Sequence, residues 1–384
     1  MQHDFLSERS ILPLLQELIR TPSVNPVLAP HESDGEAALA AFTRNWLADR
    51  GVESWLEEVM PGRPNVVSQV GRQGGPTLVL CAHIDTVSAA GMEIAPFEPR
   101  LEGRRVYGRG SYDMKGGVAA VMAAMAALSD SDLPAKVMAA LVVDEEHSSI
   151  GADDFLARHG ADACIITEPT DGRLCLSHKG FVWCRITTTG VAAHGSRWDL
   201  GVSAVGKMGR IVAELERFDR ETLRQRTDPR LGPASLHCAT IEGGSGISTY
   251  APNCMLQVER RSLPGESLDQ VREEFEAAVT AAGEEATVDC YFARTPMVCE
   301  PDAPVARAVR DAALHVTGHA PEEIGVGYWT YAAIFDAAGI PTVNYGPAGS
   351  GAHATVEWVD LDSVVICAQV VAEAVRRLAN VLWP

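Results

Sequence analysis

The chain has 384 residues, 46% apolar and 22% charged, the balance of an ordinary globular protein of roughly two or three domains. That profile excludes disordered, collagen-like and low-complexity chains. Its 32 Lys and Arg against 51 Asp and Glu leave a formal charge of −19, the wrong sign for a nucleic-acid or anionic-membrane partner.

Residues 5–20 place Leu6, Leu14, Leu15, Leu18 and Ile19 largely on one helical face. This helix stops before Thr21-Pro22, because proline disfavours a helical residue ahead of it. A second amphipathic helix spans 36–50, with Gly51 ending it. Strands follow at 65–70 and, apolar throughout, at 77–82. Residues 116–129 read as a helix, 136–143 and 162–167 as apolar strands. Towards the end come a helix at 305–316, a strand at 340–345 and a helix at 361–378. Continuous apolar strands alternating with helices predict an α/β layer with a mostly parallel, buried sheet.

The middle of the chain has another rhythm: strand 181–189, helix 201–215, strands 235–241 and 255–262, helix 267–282, strand 286–292. The order β-α-β-β-α-β is the ferredoxin-like split unit. It predicts a domain at 178–295 inserted into an α/β domain made of 1–177 and 296–384.

Nine cysteines are scattered without a CxxC pair, most of them in apolar runs, and are expected to be reduced core residues of a cytoplasmic protein. The start, MQHDFLSERS, lacks the basic-then-apolar pattern of a signal peptide. The longest apolar run, 118–128, is too short to span a bilayer.

The polar residues that follow the apolar strands carry the functional signal. His83-Ile84-Asp85 follows one, Asp144-Glu145-Glu146 a second and Glu168 a third. Ligands of open α/β sheets bind beyond the carboxyl ends of the strands. Turns are polar anyway, but three strand ends bearing only His, Asp and Glu point to a shared metal site. Asp113 precedes the helix that starts near Gly116, where the positive end of the helix dipole keeps a carboxylate ionised; plain helix capping is the simpler account. His353 stands in a small-residue loop after the last strand. His3, His31, His159, His315 and His319 read as surface residues; His147, His178 and His237 read as structural. The segment Gly108–Gly117 fails as a dinucleotide or P-loop fingerprint, and Gly243-Gly-Ser-Gly246 reads as a plain loop. There is neither a G-x-S-x-G elbow nor an HExxH helix.

His83-x-Asp85, Gly108-Arg-Gly-x-x-Asp113-Met-Lys-Gly-Gly117, Glu145-Glu146, Glu168-Pro169, Ala193-His194-Gly195-Ser196, Glu259-Arg-Arg261-Ser-Leu-Pro264-Gly265-Glu266 and His353 occur in an order that resembles the M20 metallopeptidases over essentially the whole chain. That group contains acetylornithine deacetylase, succinyl-diaminopimelate desuccinylase and glutamate carboxypeptidase. The resemblance implies two divalent ions, usually zinc, with cobalt or manganese as substitutes. His83 and Glu168 would hold one ion, Glu146 and His353 the other, and Asp113 would bridge them. Asp85 would orient His83 from behind, and Glu145 would be the general base. Three ligand carboxylates against two divalent ions would leave about one positive charge to polarise an amide carbonyl. The inserted domain would serve for dimerisation and as a lid. From it His194 would reach the partner subunit's site to stabilise the oxyanion, and Arg261 would bind the substrate's free carboxylate.

The implied activity is hydrolysis of N-acyl amino acids or short peptides with a free carboxylate, by a homodimer in the cytoplasm. The alternatives are a carboxypeptidase or dipeptidase on the same machinery, or a hydrolase of an unusual, aromatic amide or amine. Glu168 resembles the deacylases and carboxypeptidases, since dipeptidases and aminopeptidases of the family tend to have Asp there. Tyr331 stands where the family commonly has a carboxylate. Tyr328 and Trp329 either line an acyl or side-chain pocket or pack; Trp198 is expected to pack.

Overall fold

The computed structural model describes residues 4–32 and 34–382; His3 lies outside them. The chain divides into two compact units. One comprises residues up to Leu176, Cys299–Ile324 and the chain from Thr330 onward; the other comprises Ser177–Val298 and Gly325–Trp329.

The first unit is built on a mixed sheet. Its strands run in the order Glu53–Met60, Arg63–Gly71, Lys136–Val142, Thr77–His83, Ala163–Ile166, Thr342–Asn344 and then Leu174–His178, which carries the chain towards the second unit. The four central strands, from 136–142 to 342–344, are parallel. The flanking pairings of 53–60, 63–71 and 174–178 are antiparallel. The parallel strands are the apolar ones expected from the sequence. The edge strand Glu53–Met60 escaped notice because its charged, half-exposed residues show no continuous apolar run.

Helix Gly116–Leu128 is apolar on every side, and twelve of its thirteen residues are buried. It packs on helices Leu361–Leu382 and Glu8–Arg20 and on the 77–83 strand. A second, small sheet joins Gly349–Ser350, Trp358–Asp360, Arg105–Tyr107 and Arg100–Glu102 in that order. His159, expected at the surface, is instead largely covered: Nε2 lies 2.9 Å from Glu57 Oε1 and the ring packs on Phe155. Among the described residues no helix is long and apolar enough to cross a membrane.

The second unit carries the ferredoxin-like order. Its sheet runs Ser235–Gly243, Asn253–Ser262, Gly180–Thr189, Thr287–Arg294, antiparallel throughout. Helices Ala204–Glu221 and Leu268–Ala281 pack on it, capped by Ser203 and Ser267, whose hydroxyls accept from the Gly206 and Gln270 amides. Val182, Cys184, Ile186, Leu256, Val258, Met208, Ile211 and Phe275 form its core.

Two expectations are corrected here. Cys184 and Cys290 are joined in a disulfide, not reduced. They stand directly opposite on neighbouring antiparallel strands, with Cα atoms 4.0 Å apart, a proximity that the scattered spacing of the nine cysteines does not reveal. The other seven are free thiols. Trp198 does not pack: it is 81% exposed.

Candidate metal centre

Three adjacent parallel strands finish at one edge of the sheet. His83 ends the 77–83 strand, Glu145 and Glu146 lie just past the 136–142 strand, and Glu168 lies just past the 163–166 strand. Asp113 arrives from the loop before helix Gly116–Leu128. That helix starts close to the sheet because its second residue is glycine: a Cβ on Gly117 would lie 2.3 Å from the Thr167 carbonyl oxygen. His353 comes from the loop between Gly349–Ser350 and Trp358–Asp360. Asp144, immediately ahead of the Glu145-Glu146 pair, and His353 both adopt positive φ, 68° and 60°. That conformation is uncommon for residues other than glycine and tends to collect at functional sites.

The two oxygens of Asp113 face different histidines. Oδ1 lies 3.2 Å from His83 Nε2, and Oδ2 lies 3.3 Å from His353 Nε2. Glu168 Oε1 stands 3.7 Å from His83 Nε2, and Glu146 Oε2 stands 2.9 Å from His353 Nε2. The result is two donor triads, His83–Asp113–Glu168 and Asp113–Glu146–His353, that share one carboxylate. Glu145 Oε2 sits 4.0 Å from His83 Nε2, beside the triads and in neither.

These donors suit a pair of divalent cations. Tetrahedral coordination at about 2.1 Å sets ligand atoms roughly 3.4 Å apart, close to the separations found here. Imidazole nitrogen and carboxylate oxygen are zinc ligands. Glu146 Oε1 is buried without a hydrogen-bond partner, a costly condition that a bound cation would relieve.

Electrostatics point the same way. Burial raises the carboxyl pKa of Glu146 to about 7 and of Glu168 to about 8, and neighbouring carboxylates add to both. Burial likewise pushes Glu145 well above the carboxylate range, with Glu168, Glu146 and Asp113 adding to it. Asp113 goes the other way: its own burial is outweighed by His353 and His83, which hold it below the usual range. Hydrogen bonds to Asp113 and Glu146 lift the His353 imidazole to about 10. Burial opposes the charged form of His83, but Asp113 and Asp85 overcome it and leave the ring well above normal. A cation bound among these groups would compete with protons for them.

Asp85 is placed somewhat differently from expectation. The group nearest His83 Nδ1 is its backbone carbonyl, at 3.0 Å; its carboxylate stands at 3.5 Å. The carboxylate chiefly holds the next loop, accepting from the Glu145 amide on Oδ1 (3.0 Å) and the Glu146 amide on Oδ2 (3.1 Å). Asn25, absent from the sequence reading, donates from Nδ2 to both Asp85 (2.8 Å) and Asp144 (3.1 Å). Its only signal was a polar residue enclosed by Pro22 and Pro26. Met114, bonded to Asp113 through a cis peptide, accepts the His83 amide on its sulfur at 3.2 Å.

Tyr331 is fully buried, edge-on to the His83 ring with 6.2 Å between centroids, its hydroxyl 3.6 Å from Met114 Sδ. It packs against His83 in the enclosed interior. His194 and Arg261 belong to the second unit. His194 is exposed, its Nδ1 2.8 Å from Ser196 Oγ. Arg261 donates Nε to Glu259 at 2.7 Å and lies over the Phe181 ring. Its neighbour Arg260 points into the core and pairs with Glu266 at 2.7 Å. Trp329 packs edge-on to Phe181 and His178 and donates Nε1 to the Thr295 carbonyl at 3.2 Å, while Tyr328 is 46% exposed.

A mixed α/β sheet whose strand ends collect two donor triads sharing one carboxylate could hold metal ions there, and it goes with a class, the hydrolases of C–N bonds. The chain belongs to peptidase family M20/M25/M40, whose model matches residues 79–377. It is 30% identical over 266 residues to acetylornithine deacetylase of Vibrio campbellii, covering 68% of this chain and 70% of that protein. The Vibrio vulnificus acetylornithine deacetylase is 31% identical over 268 residues, with the same coverage. Among solved structures, a tripeptidase from Staphylococcus aureus superposes with a TM-score of 0.79 at 21% identity, over 97% of this chain and 99% of that one. A dinuclear metal binding peptidase of the M20 family from Bacillus subtilis gives 0.71 at 16% identity, over 98% of each. These structural likenesses establish the fold.

Proposed function

We propose that the protein is a two-metal amidohydrolase that removes the acyl group from N-acyl amino acids. The observation that carries this reading is Asp113 with one oxygen towards each histidine and Glu145 alongside, outside both donor triads. His83 and Glu168 would hold one ion, Glu146 and His353 the other, with Asp113 common to both; zinc fits the donors. Bound there, such ions would supply Lewis acidity, to polarise the amide carbonyl and ease the ionisation of water. Glu145 takes the water proton and delivers it to the departing amine. Its place beside both donor triads and in neither leaves its carboxylate free to hold that proton between the two events. No covalent intermediate is required. Asp85 keeps Glu145 and Glu146 in place through their backbone amides.

The acyl-amino-acid class rests on the deacetylase relatives; Glu168, which resembles the deacylases and carboxypeptidases alike, speaks only against a dipeptidase. Arg261 would hold the substrate's carboxylate and His194, acting across a dimer, the oxyanion. The test is amine release, identified by mass spectrometry, from a pool of N-acyl amino acids and dipeptides offered to zinc-loaded protein. Chelator-sensitive cleavage confined to the acyl amino acids is the expected result. Cleavage confined to dipeptides would replace the deacylase reading with a peptidase one.

A further inference from the structure

Glu357 belongs to no donor triad, yet its carboxylate is buried and takes four hydrogen bonds, all from the segment that ends in Asp113. Oε1 accepts from the amides of Tyr112 and Asp113, each at 3.0 Å. Oε2 accepts from the Gly110 amide at 2.9 Å and from Arg109 Nη1 at 2.8 Å. Arg109, 3% exposed, places its other nitrogens with equal definition: Nε donates to the Ser88 carbonyl at 3.1 Å and Nη2 to the Ala354 carbonyl at 3.2 Å. Ala354 follows His353 directly.

A single buried ion pair therefore fastens two loops, one ending in Asp113 and the other opening with His353. The approach is tight, since a Cβ on Gly110 would fall 2.6 Å from Thr86 Cγ2. The single wide turn Ser111–Lys115 is broken by non-helical backbone at Asp113 and Met114, and the Glu357 carboxylate organises the segment by filling both lone-pair sets of both oxygens. A carboxylate that satisfies amides in this way fixes their directions as well as their positions.

We propose that Glu357 and Arg109 are positioning residues for the dinuclear centre, setting the rotation of Asp113 so that one oxygen faces each histidine and tethering His353 at the matching distance. The proposal rests on Asp113 bridging two ions, as argued above. Partners behind metal ligands typically govern affinity by about 10–100-fold. The ion held by Asp113, Glu146 and His353 would feel the loss most, because both loops meet there, whereas His83 ends a strand of the sheet and Glu168 lies just past another.

The test is Co²⁺ titration of metal-stripped full-length protein, followed by visible absorption and by counting bound ions. Wild type should take two ions; failure to do so would overturn the two-metal reading itself, separately from this proposal. In Glu357→Gln, one ion should bind as in wild type and the other about 10–100-fold more weakly, with an altered absorption spectrum. With saturating metal, kcat should fall while KM for an N-acyl amino acid stays within about threefold. Two wild-type affinities and an unchanged spectrum in a folded Glu357→Gln protein would overturn the proposal. Should that variant not fold, Arg109→Lys keeps the charge and every backbone bond to Glu357 but loses the fork that reaches Ala354. A selectively weakened second ion is expected there as well, and an unchanged one would be equally decisive against the proposal.

Discussion

Glu145 and Glu146 are adjacent, both half-buried and both held by Asp85, yet only Glu146 contacts a histidine as a ligand would. Glu145→Ala should therefore keep both ions and lose about 10²–10⁴-fold in kcat, because only proton transfer is removed. Metal analysis alongside turnover checks this; near-normal turnover would rule out the base role. Proton competition gives a second prediction. His353, with its pKa near 10, and Glu168, near 8, bind protons more tightly in the metal-free protein than free side chains do. Cations must displace those protons, so metal affinity should rise with pH through neutrality and weaken as pH falls. Calorimetry in two buffers of different ionisation enthalpy should show proton release on metal binding at pH 7. Identical heats in both buffers would contradict it.

Elements differ in how plainly the sequence announces them. The apolar central strands and the split β-α-β-β-α-β unit were legible because burial on both faces, or on one, imposes a period on the residues themselves. His83, Glu145, Glu146 and Glu168 stood out for the same reason: each follows such a run. The three-residue strands at 100–107 and 358–360 were not legible. They are too short to carry a period, and the pairing that joins 105–107 to 358–360 spans some 250 residues, so the company of Asp113 and His353 was hidden as geometry; the family resemblance supplied it. Asn25 and the Cys184–Cys290 bridge are likewise consequences of three-dimensional neighbourhood. Two predictions belong at this scale. Gly117→Ala should destabilise the first unit by about 1–3 kcal/mol, because the added methyl meets the Thr167 carbonyl where helix and strand end are closest. An unchanged melting temperature would show that the helix can retreat. Reducing the Cys184–Cys290 disulfide should lower stability by about 2–4 kcal/mol, since it closes a loop of 106 residues; melting curves with and without reductant would reveal it.

At the scale of the whole molecule, the proposed role of His194 requires two chains. Mixing inactive Glu145→Ala protein with inactive His194→Ala protein should restore part of the activity, because one site of the mixed dimer would own both groups intact. No recovery after demonstrated subunit exchange would remove the trans role.

The two donor triads are also unequal in their access to water. The His83 side chain is fully enclosed, whereas that of His353 is 55% exposed. Exchange should follow that asymmetry: the outer ion trades with solution in advance of the inner one, and a brief exposure to chelator leaves a half-loaded protein. Refilled with a different metal, such protein becomes a hybrid with one element in each seat, so activity measured after partial stripping and reloading reports on the history of the sample as much as on the metal last added.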